Sequence, residues 1–233
     1  MPLNRRLIVV AASAVVLIAA AAGGASFLLS RHSAPPALAL GRTTSPGATT
    51  ALAGKWTVGA GSEVGYRAKE QFINQPSETE AVARTSKVTG TVVVAVTAGT
   101  VKITQIKFTV DLASLTSQDR YATYQVYQRD FFVRSIYLQT DSFPTATFNA
   151  DSVSFPLPAG GPVSVDVPGK LTVHGLTKGV TAHLQAQAAG TSAEVAGSLS
   201  VDMLDFAIEP PDISFTRAEP LVTIEYDLKL VHA

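Results

Sequence analysis

Gln128-Arg129-Asp130-Phe131-Phe132-Val133-Arg134-Ser135 sets two guanidiniums and a carboxylate among three apolar side chains. Arginine offers five donors in a rigid fork that matches a carboxylate or a phosphate. Two uses follow, and the residue types leave both open. Arg129, Asp130 and Arg134 hydrogen-bond the oxygenated or phosphorylated head of a ligand, or an arginine pairs with Asp130 or another carboxylate and fixes a charged, aromatic loop. Four histidines complete the reactive inventory. His32 and His232 belong to the terminal segments and are expected outside any site. His174 and His183 flank one turn-rich link; with the turn centred on Leu176 and Thr177, His174 faces Gly179 and His183 faces Lys170. The two rings then do not meet, and a zinc site lacks its ligands. His174 is read as satisfying the hairpin's hydrogen bonds or touching a ligand head. There is no Gly-x-Ser-x-Gly elbow and no glycine-rich phosphate loop before a helix. Nothing in the residue pattern argues for catalysis, so the expectation is binding without turnover.

The chain has no cysteine, which removes disulfides, thiolate ligands, a cysteine nucleophile and acylation at a lipobox. Eighteen basic residues balance eighteen acidic ones, with no basic run, so there is no electrostatic footprint for nucleic acid.

The elements that must position these groups alternate with period two. Val222, Ile224, Tyr226, Leu228 and Leu230 alternate with Thr223, Glu225, Asp227 and Lys229, as Leu199 and Val201 do with Ser200 and Asp202. Successive strand residues point to opposite faces, so each segment buries one face in an antiparallel sheet. Pro144 suits the start of a strand in which Ala146 and Phe148 share a face. The apolar set changes phase near Gln105, from Val101 and Ile103 to Ile106, Phe108 and Val110, which predicts a bulge. About eight such segments lie between Trp56 and Val231. Helix is expected only as a short helix or structured loop over Ser117 to Arg129, where Tyr121, Tyr124 and Tyr127 recur at spacing three. A barrel and a sandwich satisfy this pattern equally.

Arg5 and Arg6 precede Leu7 to Leu29, 23 residues without a charge. At about 1.5 Å per residue such a helix crosses the hydrocarbon core. The arginines place its start in the cytoplasm and the remainder outside. Ala20-Ala21-Ala22 offers the alternative of a cleaved signal. The expected organisation is a membrane anchor or signal over residues 1–30, a flexible linker over 31–53 and one domain over 54–233. The protein is then a single-pass cell-membrane protein, or is secreted after cleavage.

Trp56, Ser62-Glu63-Val64-Gly65-Tyr66, Val88-Thr89-Gly90, Asp111-Leu112-Ala113-Ser114-Leu115 and the Arg129-Asp130 pair stand in order along the domain. Phe143-Pro144-Thr145-Ala146-Thr147-Phe148, the run from Gly169 to Lys178, and Asp205-Phe206 follow. On these residues the domain resembles the YceI-like family of lipocalin-like polyisoprenoid-binding proteins. Tyr137-Leu138-Gln139 departs from the family's Asp-Phe-Phe, and Lys69 to Ser86 is longer and more polar than usual. The resemblance implies an all-β, antiparallel, eight-stranded lipocalin-like barrel able to enclose an isoprenoid tail. Phe108, Val110, Phe148, Phe155, Val173, Val201, Phe206, Ile224 and Tyr226 would then point inward, as core packing or as cavity lining. The implied function is extracytoplasmic binding, with transport or storage, of a polyprenyl or quinone-type lipid, and no cofactor. The implied partners are that lipid and the membrane, and a homodimer is allowed. The rival expectation is a protein-interaction module, its barrel filled by its own side chains and its surface formed by Tyr121, Tyr124 and Tyr127.

Overall fold

The computed structural model describes residues 32–41, 52–73, 77–121, 126–213 and 215–233. The apolar stretch from Leu7 to Leu29, Tyr124, and the side chains of Tyr121 and Tyr127 fall outside the described residues.

The wall consists of β1 (Gly54–Val58), β2 (Glu63–Phe72), β3 (Thr79–Thr85), β4 (Val88–Thr97), β5 (Thr100–Asp111), β6 (Thr145–Pro156), β7 (Val163–Val173), β8 (Leu176–Ala189), β9 (Ser192–Asp202) and β10 (Thr216–His232). β1 and β2 follow one another along β10, from His232 opposite Trp56 to Thr216 opposite Phe72. β3 and β4 follow one another along their other side. Each of these two pairs acts as one long bent strand, which leaves eight staves. All neighbours are antiparallel, and β9 pairs with β10 from Ser192–Val231 to Asp202–Leu221 to complete the ring. A closed ring has no edge to protect. This closure selects the barrel over the sandwich.

The bulge lies where the change of phase placed it. The register between β4 and β5 shifts by one between Thr91–Lys107 and Val93–Thr104, and Gln105 takes up the extra residue at a φ of 52°. The hairpin between β7 and β8 departs from expectation. Val173 faces Leu176, so the turn is His174-Gly175, both at positive φ. That is the two-residue hairpin geometry, which tolerates a histidine at the first position and favours glycine at the second. Consequently His174 does not face Gly179, and His183 faces Asp166 rather than Lys170, with Nδ1 2.7 Å from the Asp166 carboxylate on the outer surface.

The charged, aromatic segment is helical rather than a loop, and it begins later than the tyrosine spacing implied. Thr116–Ser117 is extended and pairs with Arg84 and Ala83. The helix α1 then spans Val126–Phe132 and runs into a wider turn over Val133–Tyr137, where Leu138 N donates to Val133 O at 2.8 Å. No glycine or proline interrupts this run, so the helix continues past the expected limit at Arg129.

The loops fall at two ends. One end, the mouth, carries α1, the turn at residues 174–175 and residues 203–215. The far end carries the turns near residues 98–99 and 190–191, and there Trp56 is buried with its ring edge against His232. Residues 34–41 lie along the outer wall as a strap from the mouth towards the far end. Pro35 O and Pro36 O accept from Arg67 and Arg84, Leu38 N donates to Glu225, and Gly41 N donates to Glu194.

Candidate binding cavity and its polar mouth

Inward alternation on every stave produces an apolar lumen of about 580 Å³ that extends from the mouth along most of the barrel. The expectation of an interior filled by its own side chains therefore fails. Phe108, Val110, Phe148, Phe155, Val173, Val201, Phe206, Ile224 and Tyr226 all line this cavity. Two glycines explain how large rings leave it open. Gly90 stands opposite Phe108, and a Cβ on it would come within 2.2 Å of that ring. A Cβ on Gly169 would come within 2.5 Å of the Phe148 ring. Both rings thus lie flat against the wall, over the bare backbone of a neighbouring strand.

Of the polar residues picked out by sequence, only Arg129 borders the lumen. Asp130 turns towards Ser117, accepting from its amide at 3.0 Å and its hydroxyl at 2.5 Å. Arg134 donates to Leu115 O at 3.1 Å and Ala113 O at 3.4 Å. These two residues fasten α1 to the segment before it. His174 places Nδ1 3.1 Å from Phe206 O and its ring edge against Phe143, so it ties two mouth loops together. Nδ1 must donate there, because a carbonyl only accepts.

Arg129 is held on three sides. It donates to Glu70 at 3.0 Å, to Asp119, and to Ser117 Oγ at 3.0 Å. Asp119 also accepts from Val82 N at 3.1 Å. Burial works against the guanidinium charge, but Glu70 and Asp119 outweigh it and hold the pKa of Arg129 above its ordinary value. Burial pushes the neighbouring Tyr66 phenol well up, so it stays a neutral hydrogen-bonding group at the lumen wall. The cluster formally carries one positive charge against two negative ones, and its guanidinium is already committed.

Glu70, Asp119 and Tyr66 are absent from the sequence-derived set. Glu70 had left a trace, since Val64, Tyr66, Ala68, Glu70 and Phe72 share one phase of β2, and a carboxylate in the apolar phase needs a buried partner. Among the described residues no group of three or more His, Asp or Glu side chains is placed to hold a metal ion.

The model of the YceI-like domain matches residues 56–230. The chain belongs to the YceI-like family. Among solved structures, this YceI-like barrel is similar to a polyisoprenoid binding domain from Saccharophagus degradans implicated in plant cell wall breakdown. The TM-score is 0.54 at 16% identity, covering 76% of this chain and 98% of that one. It is also similar to BcnA of Burkholderia cenocepacia, with a TM-score of 0.52, 22% identity and coverage of 74% and 98%. Among curated proteins none matches this sequence. The YceI-like motifs fall at structurally demanding points. Val88-Thr89-Gly90 makes the slot for Phe108, Asp111 Oδ1 accepts from Ala113 N at 2.9 Å, and His174-Gly175 forms the hairpin turn.

Proposed function

We propose that this barrel binds one isoprenoid lipid on the outer side of the cytoplasmic membrane, as a carrier or store that performs no chemistry on it. The observation that carries the reading is the apolar lumen, kept open by Phe108 and Phe148 lying over Gly90 and Gly169. The nine apolar residues predicted from sequence form its contact surface, and the name of the Saccharophagus domain supports the ligand class. The uncharged stretch from Leu7 to Leu29 supports the location. At the mouth, two carboxylates around one occupied guanidinium favour an uncharged hydrogen-bonding head, of the quinone or polyprenol kind, over a diphosphate.

Organic extraction of the purified full-length protein, followed by mass spectrometry, tests this directly. A stoichiometric isoprenoid is the expected result. A protein that arrives empty and fails to take up added isoprenoids overturns the reading. Each buried methylene contributes about 0.8 kcal/mol, so affinity must also rise with chain length until the lumen is full. An affinity independent of chain length would be incompatible with enclosure.

A further inference from the structure

The two ends of the barrel differ in how much apolar surface they leave uncovered. Of the large apolar side chains that are exposed among the described residues, only Leu157 and Val231 lie at the far end. The mouth carries the rest, including Ile73 at 67% exposure, Phe131 at 58%, Ile136 at 54% and Phe132 at 49%, joined by Ile213 and Phe215. Phe132, Ile136, Ile213 and Phe215 also line the cavity, so the exposed rim is continuous with the lumen. An apolar patch of this kind around an opening marks a surface that meets another apolar phase.

The strap indicates which phase. His32–Ser33 pairs with Arg120–Tyr121, in the segment that leads into α1, and from there the strap descends the outer wall away from the mouth. It is pinned at Pro35 and Pro36 by Arg67 and Arg84, at Leu38 by Glu225, and at Gly41 by Glu194. The uncharged stretch ends at Leu29, three residues before His32, a span of at most about 10 Å even when fully extended. The described chain therefore begins beside the mouth and not beside the far end, so a membrane segment that precedes it joins the domain on that side. A free linker of residues 31–53 would allow any orientation, whereas a docked strap permits few.

We propose that the barrel sits mouth-down on the lipid bilayer, with Ile73, Phe131, Phe132, Ile136, Ile213 and Phe215 dipping into the interface, and exchanges its ligand directly with the membrane. An apolar face buried 5–10 Å at the headgroup boundary is the ordinary depth of such contacts. The rim and the strap carry the orientation; only the exchange route rests on the isoprenoid-binding reading.

The absence of cysteine makes the test clean, since a single introduced thiol takes the label. Full-length protein carrying Phe131→Cys, or Thr191→Cys at the far end, is labelled with a polarity-sensitive dye and reconstituted into phosphatidylcholine vesicles with brominated acyl chains. The dye at position 131 is expected to lose about half its emission to the bromines, and the dye at 191 to keep its own. Trp56, the only tryptophan, is buried at the far end and serves as an internal control that should remain unquenched. Equal responses at 131 and 191 overturn the proposal. A dye at 131 that is shielded from water yet not quenched also overturns it, and assigns the rim to a second copy of the chain. The double variant Phe131→Ser/Ile73→Ser, whose residues do not line the lumen, should take up isoprenoid from vesicles about tenfold more slowly and fill normally from detergent micelles. Equal slowing from both sources overturns the direct route. If the parent protein fills from neither, the binding reading falls while the quenching result still decides the orientation.

Discussion

Two buried charge clusters in this barrel are built as opposites. At the mouth one guanidinium, Arg129, lies between the carboxylates of Glu70 and Asp119. On the outer wall one carboxylate, Glu225, lies between Arg67 and Arg84, each at 2.8 Å. The inner cluster faces the lumen and leaves negative charge over. The outer one faces the strap, and its remaining guanidinium donors end on the half-exposed Glu80 carboxylate and on the carbonyls of Pro35 and Pro36. Glu225 and Glu70 are both strand residues, yet only Glu70 stands in the apolar phase. The same chemistry thus serves two purposes. One cluster stands at the mouth of the cavity, and the other fixes the strap through two of its backbone carbonyls and one amide.

Removing the centre of the outer cluster is the harshest way to break this symmetry. Glu225→Leu leaves two guanidiniums without their buried partner, at a cost of about 3–5 kcal/mol. For a domain of this size each kcal/mol moves Tm by about 2–4 °C, so the Tm should fall by about 6–20 °C. An unchanged Tm would mean that the outer cluster holds nothing. Arg129→Met strands the carboxylates of Glu70 and Asp119 instead, both buried; Asp119 keeps its bond from Val82 N, and the expected loss is about 3 kcal/mol by denaturant unfolding.

Gly90→Val examines the wall between the clusters. It should drive the Phe108 ring into the lumen, at about 1–3 kcal/mol of overpacking, and lower the amount of isoprenoid recovered by extraction. Full ligand content in a folded variant would show that the ring was not held by the slot.

The mildest effect belongs to the strap's lower end. Burial acts to raise the Glu194 pKa, but Lys229, the Gly41 amide and Gln187 together hold it below the ordinary carboxylate value. Its stabilisation is present above the unfolded glutamate pKa and fades as pH falls through the lowered folded one. Lys229 is shifted the other way: burial opposes its charge, but Glu194 and Asp227 raise its pKa overall. Its contribution holds below the unfolded lysine pKa and is lost as pH climbs through the raised one. Hydrogen exchange at the Gly41 amide should therefore speed up in acid and again in strong alkali, while the barrel amides stay protected.

The legible parts of this molecule were those written in side-chain alternation. Period two gave the staves, the lumen-facing residues and the bulge at Gln105, because one buried face leaves a two-residue signature. The barrel's closure came from the family resemblance, since pairing of β10 with β1 and β2, at the other end of the domain, leaves no mark within any of these strands. The turn at His174-Gly175 was hidden by the more turn-like Leu176-Thr177-Lys178-Gly179 that follows it. The strap left no trace because it is held through backbone carbonyls and amides, and an Ala- and Pro-rich composition reads the same whether such groups meet water or arginine. Asp119 sits between the strands, outside any periodic segment, so its pairing with Arg129 had no pattern to betray it.

The β10 strand has a kinetic consequence. Lys229 N donates to Ser62 Oγ across 167 residues, and the staves that contain them are neighbours in the finished ring. Until the last stave arrives, β1 and β2 have one open edge and the lumen residues face water. Contacts this distant in sequence make the final step a slow loop closure. While it waits, the chain displays the open strand edges that drive self-association. The rate of ring closure, more than the stability of the closed ring, then sets how much of the newly made protein escapes aggregation.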